Sequence, residues 1–207
     1  MLIYLVRHGE SEANKKNFHH TPEVPLSELG FQQAQNVAKR FKNINIDLIY
    51  SSPLTRAKQT AEIINKKIKA PIEYWDNLSE MGQPSEIRGK SAEEKEVIMV
   101  KHIIEANSHK PNYHFSDEEN FEDINRRAKN VLHHLENMHK NQTILCVSHS
   151  TYIKALVGKI IFGDSLTNKI FQEMRKHMWM QNTGITVCEK HPKYGWQLNI
   201  WDDTIHL

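Results

Sequence analysis

What most constrains this chain is a set of short, unbroken apolar runs, each ending on polar or charged residues and followed by a helix-length amphipathic stretch. Residues 2–6 (LIYLV), the start of IDLIYSSP and the ILCV of TILCVSHS show no apolar–polar alternation. A strand covered on one face alternates, so such runs belong to strands buried on both faces of a parallel sheet. Between them, PLSELGFQQAQNVAKRF begins a helix with Ser27 as N-cap and sets Phe31, Ala34, Val37, Ala38 and Phe41 on one stripe. PLTRAKQTAEIINKK gives a second helix, with Pro53 in its first turn and Ser52 or Ser51 as cap. APIEYW reads as a further strand.

Later in the chain, SDEENFEDINRRAKNVLHHLENMHK reads as a helix, acidic at its start and rich in His and Lys at its end, which suits the helix dipole. Its inward stripe is Phe121, Ile124, Ala128, Val131, Leu135 and Met138. TYIKALVGKIIFG follows the ILCV strand as another helix, and TGITVCE and GWQLNIWD close the chain as a hairpin across KHPKYG. The alternation predicts an α/β fold: a three-layer α/β/α sandwich with a mainly parallel sheet and one antiparallel strand.

Residues 77–116 break the alternation. They hold MGQPSEIRGKS, the proline-containing HKPNYHF and a charged helix candidate from Ser91 to Ala106. A stretch of this length between regular units is a lid or a loop, and Ile98, Ile103 and Ile104 give it something to bury, so we read residues 1–207 as one domain carrying a lid insertion over about 77–116.

A net charge of +2 and the absence of any basic block argue against nucleic acid as a partner. No run approaches the ~18 apolar residues of a membrane span, and MLIYLV has neither a basic n-region nor a cleavage site, so we expect a cytoplasmic protein with no membrane partner. Cys146 and Cys188 lie in apolar runs without metal-like spacing and read as buried free thiols. The histidine pairs His19-His20 and His133-His134 lack an HExxH or CxxC context. Adjacent helical residues diverge by about 100°, so we expect no metal and no cofactor, with these histidines at the surface or partly packed. The oligomeric state stays open: MWM at 178–180 is either a contact patch or core.

Three element boundaries share one property. The first strand ends in Arg7-His8, the second leads to Arg56 in the first turn of its helix, and the ILCV strand ends in Ser148-His149. In open α/β sheets ligands bind beyond the carboxyl ends of the strands. Helix starts nearby offer free N–H groups to an anion. Two guanidiniums and two imidazoles around one point make a site for a dianion.

These residues also resemble a known family. LVRHGES with Asn14 behind it, then SSPLTRAKQTA, then VSHS, are similar to the three motifs of the histidine phosphatase superfamily, branch 1, the phosphoglycerate-mutase-like fold. The likeness runs from residue 2 to about residue 160 and is weakest through the middle. It implies that His8 is the nucleophile and forms a phosphohistidine, with its other ring nitrogen held by a hydrogen-bond acceptor such as a backbone carbonyl. It further implies that Arg7 and Arg56 grip the phosphoryl oxygens, that His149 adds a donor as an imidazolium, and that Asn14 and, with less support, Ser11 hold a further oxygen.

The family takes its proton donor from an LxE segment after the third strand, which implies Glu80 in Leu78-x-Glu80, with Glu86 as the alternative. Past Glu80 the chain departs from the common aromatic-Gly-x-Trp-Glu-Gly pattern and reads Met-Gly-Gln-Pro-Ser-Glu-Ile-Arg-Gly. Arg88, Lys90 and His102 in this stretch read as exposed charge, with contact to substrate from the lid as the alternative, and Trp75, Trp179, Trp196 and Trp201 as packing aromatics rather than ligand platforms. The resemblance implies a metal-independent phosphatase acting on a small phosphate ester. A phosphoglycerate mutase using the same intermediate is the alternative, and a non-catalytic phosphate-binding module the second.

Overall fold

Residues of the central strands split by parity between two cores, and this split sets the layering. In the computed structural model, which describes all 207 residues, the strands are β1 (Leu2–Arg7), β2 (Leu48–Ser51), β3 (Ile72–Tyr74), β4 (Thr143–Ser148), β5 (Ile185–His191) and β6 (Gly195–Asp203). They form one sheet in the order β3-β2-β4-β1-β5-β6. The pairs β2–β3, β2–β4 and β1–β4 are parallel, and β5 runs antiparallel to both β1 and β6. One strand of six is thus reversed, and it creates both antiparallel pairings.

The helices are α1 (Glu12–Lys16), α2 (Glu28–Arg40), α3 (Thr55–Ile68), α4 (Lys95–Asn107), α5 (Phe121–Met138), α6 (Ser150–Phe162) and α7 (Asn168–His177). Val6, Ile49, Leu145 and Val147 pack with Val37, Ala57, Ala61 and Ile64 of α2 and α3. Their sequence neighbours Ile3, Leu5, Ile144 and Cys146 face the other way, onto Ile124, Val131, Leu156 and Phe171 of α5, α6 and α7. Each Val, Leu, Ile or Phe side chain among them, fully buried, contributes roughly 1.5–3 kcal/mol relative to exposure. Cys146 and Cys188 are buried and unpaired.

Several local expectations are corrected. Helix α3 starts at Thr55 with Leu54 in the N-cap position and no side-chain cap. Ser52 instead accepts the Leu54 N–H at 3.3 Å, and Ser51 donates to the Ser52 carbonyl. Phe31 is 40% exposed, because the first turn of α2 presses Gly30 against the loop at Glu10 and turns position 31 outward. Met138, at the last turn of α5, is also exposed. In the middle region α4 begins four residues later than expected and buries Val97 and Val100 against Ile87, with Ile104 and Phe115 alongside. Ile98 points to solvent, since the neighbouring chain that receives the helix lies on the Val97 side.

Strand register brings the site to one edge. Arg7 pairs with Ser148 and Ser51 with Val147, so β1, β2 and β4 end side by side at their carboxyl termini. The turn after β1 packs so closely that glycine is required: a Cβ on Gly9 would stand 2.5 Å from the Gly30 carbonyl oxygen. The Gly9 N–H donates to Thr60 Oγ1, and that hydroxyl donates back to the Arg56 carbonyl, which ties the β1 turn to α3. No helix is long and apolar enough to cross a membrane.

Candidate active site at the strand ends

His8 follows the last residue of β1, and its backbone N–H donates to the Ser148 carbonyl at 3.0 Å, extending the β1–β4 pairing by one bond. Its ring Nδ1 lies 2.7 Å from the Gly9 carbonyl oxygen. A carbonyl only accepts, so Nδ1 carries the proton and Nε2 keeps its lone pair. Burial first, then Arg56 and Arg7, hold the His8 pKa well below the ordinary histidine range, so the ring is neutral.

His149 occupies the N-cap position of α6, with its ring centroid 5.0 Å from that of His8. Its Nε2 lies 2.8 Å from Ser52 Oγ, while Nδ1 is buried without a partner. Burial, then Arg56 and His8, push its pKa well below the usual value. The ring is therefore neutral in this environment.

Arg56, in the first turn of α3, is 2% exposed and reaches the Thr21 carbonyl with one nitrogen at 3.4 Å. Burial lowers its pKa to about 10, with Glu80 opposing the shift, so it stays charged at neutral pH. Arg7 donates to the Met180 carbonyl. The Nε atoms of both arginines are buried and unpartnered. The structure thus brings Arg7, His8, Arg56 and His149 around one point.

In front of them lies a hollow of about 360 Å³, lined by Arg7, His8, Arg56, Asn14 and Glu80 among others; His149 packs behind this wall and Ser11 does not reach it. Ser11 is fully buried and caps α1, its hydroxyl donating to Asn14 Oδ1 and lying 2.7 Å from His20 Nε2. Since Asn14 Oδ1 also accepts the Ser11 N–H, the Asn14 amide nitrogen is left to face the hollow. Ser11 therefore orients two lining residues.

Glu80 sits on the N-terminus of α6. Its Oε1 accepts the N–H groups of Met81 and Tyr152 at 2.9 and 3.0 Å, and Oε2 accepts that of Thr151 at 3.3 Å. Glu86 lies away from the hollow and receives the Ser116 hydroxyl at 2.8 Å. Of the two carboxylates weighed from the sequence, only Glu80 lines the hollow.

Gln83 and Arg127 were not singled out in the sequence, and His20 and Arg88 were read there as a surface or partly packed histidine and as exposed charge. His20 lines the hollow, with its pKa lowered to about 3 by burial, then Arg56 and Arg7; only its place beside the RHG turn hints at this. Gln83 and Arg88 also line it, although Arg88 reads as exposed charge in the sequence. Arg127 of α5 holds the segment that carries Glu80: it forks onto Glu119 at 2.9 and 2.6 Å and donates to the Asn77 and Ser79 carbonyls at 3.0 and 2.7 Å. It also lies 4.2 Å over the Tyr152 ring. No group of three or more His, Cys, Asp or Glu side chains is arranged to hold a metal ion.

Comparison with known proteins agrees with this geometry. The family model for the histidine phosphatase superfamily (branch 1) matches residues 3–204. The uncharacterized phosphatase PhoE of Bacillus subtilis (strain 168) is 31% identical over 163 residues, 78% of this chain and 78% of that protein. The probable phosphoglycerate mutase GpmB of Photorhabdus laumondii is 32% identical over 162 residues, 77% of this chain and 74% of that protein. A crystal structure of a mutant phosphoserine phosphatase from Entamoeba histolytica in complex with phosphoserine superposes with a TM-score of 0.79 at 25% identity, covering 100% of this chain and 98% of the other.

Proposed function

Because the chain belongs to the histidine phosphatase superfamily, we propose that it is a phosphomonoester hydrolase working through a phosphohistidine on His8, on a small phosphorylated metabolite. One observation carries the reading: a buried, neutral imidazole whose Nδ1 is held by the Gly9 carbonyl, set between two guanidiniums. Nε2 attacks phosphorus as the ester P–O bond breaks. Arg7 and Arg56 take the phosphoryl oxygens through charge-assisted bonds, joined by the Asn14 amide. His149 gains a proton as the dianion arrives, since two negative charges outweigh the burial that keeps it neutral, and its unengaged Nδ1 is the atom free to donate.

The leaving alkoxide takes its proton from Glu80. Oε2, with one long bond at 3.3 Å, is the oxygen with room to carry it. In the second step Glu80 removes a proton from water, the water oxygen attacks phosphorus, the P–N bond breaks and phosphate leaves. No step calls for a metal. Residues 77–116 supply Ser79, Glu80, Met81, Gly82, Gln83 and Arg88 to the hollow, which supports their reading as a lid on one domain. The same reading puts the enzyme in the cytoplasm, in keeping with its two free thiols, with no nucleic-acid or membrane partner.

The test is phosphate release from p-nitrophenyl phosphate and sugar phosphates, with and without chelator. Turnover that survives the chelator and disappears in His8→Ala supports the reading, and unchanged turnover in His8→Ala removes it. The mutase reading has a GpmB relative in its favour. Efficient isomerisation of 3-phosphoglycerate with negligible hydrolysis would replace ours with it.

A further inference from the structure

Residues 180–184, between α7 and β5, grip the Arg7-His8 pair from the side opposite β4. The Arg7 N–H donates to the Gly184 carbonyl at 3.3 Å, and the Thr183 N–H is shared between the Arg7 and His8 carbonyls at 3.1 and 3.3 Å. The Asn182 side-chain amide adds a bond to the His8 carbonyl at 3.0 Å. The Met180 carbonyl takes the Arg7 guanidinium. Neither Asn182 nor Thr183 lines the hollow, so what they do for the site passes through Arg7 and His8.

This turn is held by its neighbours rather than by its own geometry. Thr183 is fully buried with a φ of 59°, a conformation that β-branched residues rarely adopt and that persists only where surrounding contacts fix it. Those contacts come from the end of β6 and the residues after it. Asp202 accepts the Gln181 N–H on both carboxylate oxygens at 3.1 and 2.9 Å, and a Cβ on Gly184 would lie 1.7 Å from one of them. Thr183 Oγ1 donates to the Asn182 carbonyl at 2.7 Å, so it accepts from His206 Nε2 at 3.1 Å. Asp203 anchors the segment, pairing with Arg40 of α2 at 2.7 Å and accepting the Ile205 N–H at 3.0 Å.

We propose that Asn182 and His206 are positioning residues for the nucleophile, a step that rests on the phosphatase reading. His206 holds Thr183 in its strained turn, and Thr183 with Asn182 fixes the His8 carbonyl. The His8 ring does not turn independently of that backbone, because its Nδ1 is bound to the carbonyl of the next residue, Gly9. The direction of Nε2 is therefore set where Asn182 and Thr183 hold the chain. In-line attack on phosphorus tolerates little error: a displacement of about 1 Å costs about 10²-fold in rate.

The test compares Asn182→Ala, His206→Ala and His206→Gln in single turnover of p-nitrophenyl phosphate, with rates scaled to the folded fraction from urea denaturation. Inhibition by inorganic phosphate is measured alongside. Asn182→Ala should slow phosphorylation about tenfold or more, since the aim of Nε2 is lost, while phosphate inhibition holds because Arg7 and Arg56 stay in place. His206→Ala should weaken both, because the turn also holds the Arg7 guanidinium. His206→Gln, whose amide keeps an N–H for Thr183, should recover most of each. Scaled rates equal to that of the unmutated protein overturn the proposal, since a role in stability alone moves only the urea midpoint. A His206→Gln rate no better than that of His206→Ala overturns it for His206. The His8 ring signals in ¹H–¹⁵N spectra, identified by their loss in His8→Ala, give a readout without catalysis. Should the unmutated protein hydrolyse no ester, the phosphatase reading falls, and ring signals unmoved in Asn182→Ala and His206→Ala would still overturn the positioning roles.

Discussion

His149 Nε2 lies 2.8 Å from the Ser52 hydroxyl, joining the residue after β4 to the residue after β2 across the edge of the sheet. Both residues are fully buried, so no water replaces this bond, and the second ring nitrogen is already without a partner. Ser52→Ala leaves the imidazole with neither nitrogen engaged and free to rotate. We expect a loss of about 1–3 kcal/mol in stability from the unmet polar group. We also expect kcat to fall about tenfold or more as a transition-state donor loses its aim. Urea denaturation checks the first, and steady-state hydrolysis of p-nitrophenyl phosphate the second.

The turn that carries His8 depends on close backbone contact with α2. A Cβ on Gly30 would lie 2.0 Å from the Glu10 carbonyl oxygen, closer than packing permits, and backbone on both sides has nowhere to move cheaply. Gly30→Ala should cost about 3 kcal/mol or more, at the upper end for overpacking. Because the strain falls on the segment that holds the nucleophile, kcat should fall as well. Thermal denaturation with activity measured well below the melting point separates the two effects.

How far the sequence spoke differs from residue to residue. The buried strands were legible because LIYLV and ILCV need cover on both faces, and the fold supplies it with α2 and α3 on one side and α5 to α7 on the other. The meeting of Arg7, His8 and His149 at one edge follows from parallel strands ending in register. Arg127 gave no comparable signal, and Arg88 only the weaker one of a cation in the lid segment. Their roles arise from where an irregular segment lands, Arg88 on the Gln83 carbonyl and Arg127 on carbonyls nearly fifty residues away in sequence. The face of α4 was misread for a related reason. Val97 and Ile98 are equally apolar neighbours, and only the position of Ile87 decides which of them is buried.

Acid should loosen this fold through its buried histidines. His8, His20 and His149 all have folded-state pKa values below the ordinary 6.5, His20 at about 3. Between those values and about 6.5 the unfolded chain binds more protons than the folded one, so stability falls as pH drops through that window. Above about pH 6.5 the three rings are neutral in both states and contribute no slope. The urea midpoint should therefore be nearly flat from pH 7 to 8 on account of these groups and decline from pH 6.5 towards 4. His20→Gln should flatten part of that decline. A midpoint rising on acidification over this range would contradict the assignment.

Glu80 and Arg127 can be told apart from residues that merely hold the fold by varying the leaving group. An alkoxide needs a proton as the P–O bond breaks, whereas p-nitrophenolate leaves readily without one, so loss of a general acid penalises alkyl esters selectively. Glu80→Gln should reduce kcat on an alkyl phosphate by about 10²–10⁴ and much less on p-nitrophenyl phosphate in the first step. Arg127 touches no substrate but grips the Asn77 and Ser79 carbonyls that precede Glu80. Arg127→Ala should therefore show the same selectivity at smaller size, together with a stability loss from the freed Glu119 and the uncovered Tyr152 ring. Arg127→Lys keeps a charge but cannot fork onto Glu119 while reaching both carbonyls, so it should recover stability more fully than selectivity. Single-turnover measurements of the phosphorylation step on both esters would read this directly. Equal losses on the two leaving groups would mean that Arg127 serves the fold and not the placement of the acid, and the same result for Glu80→Gln would move the proton donor elsewhere.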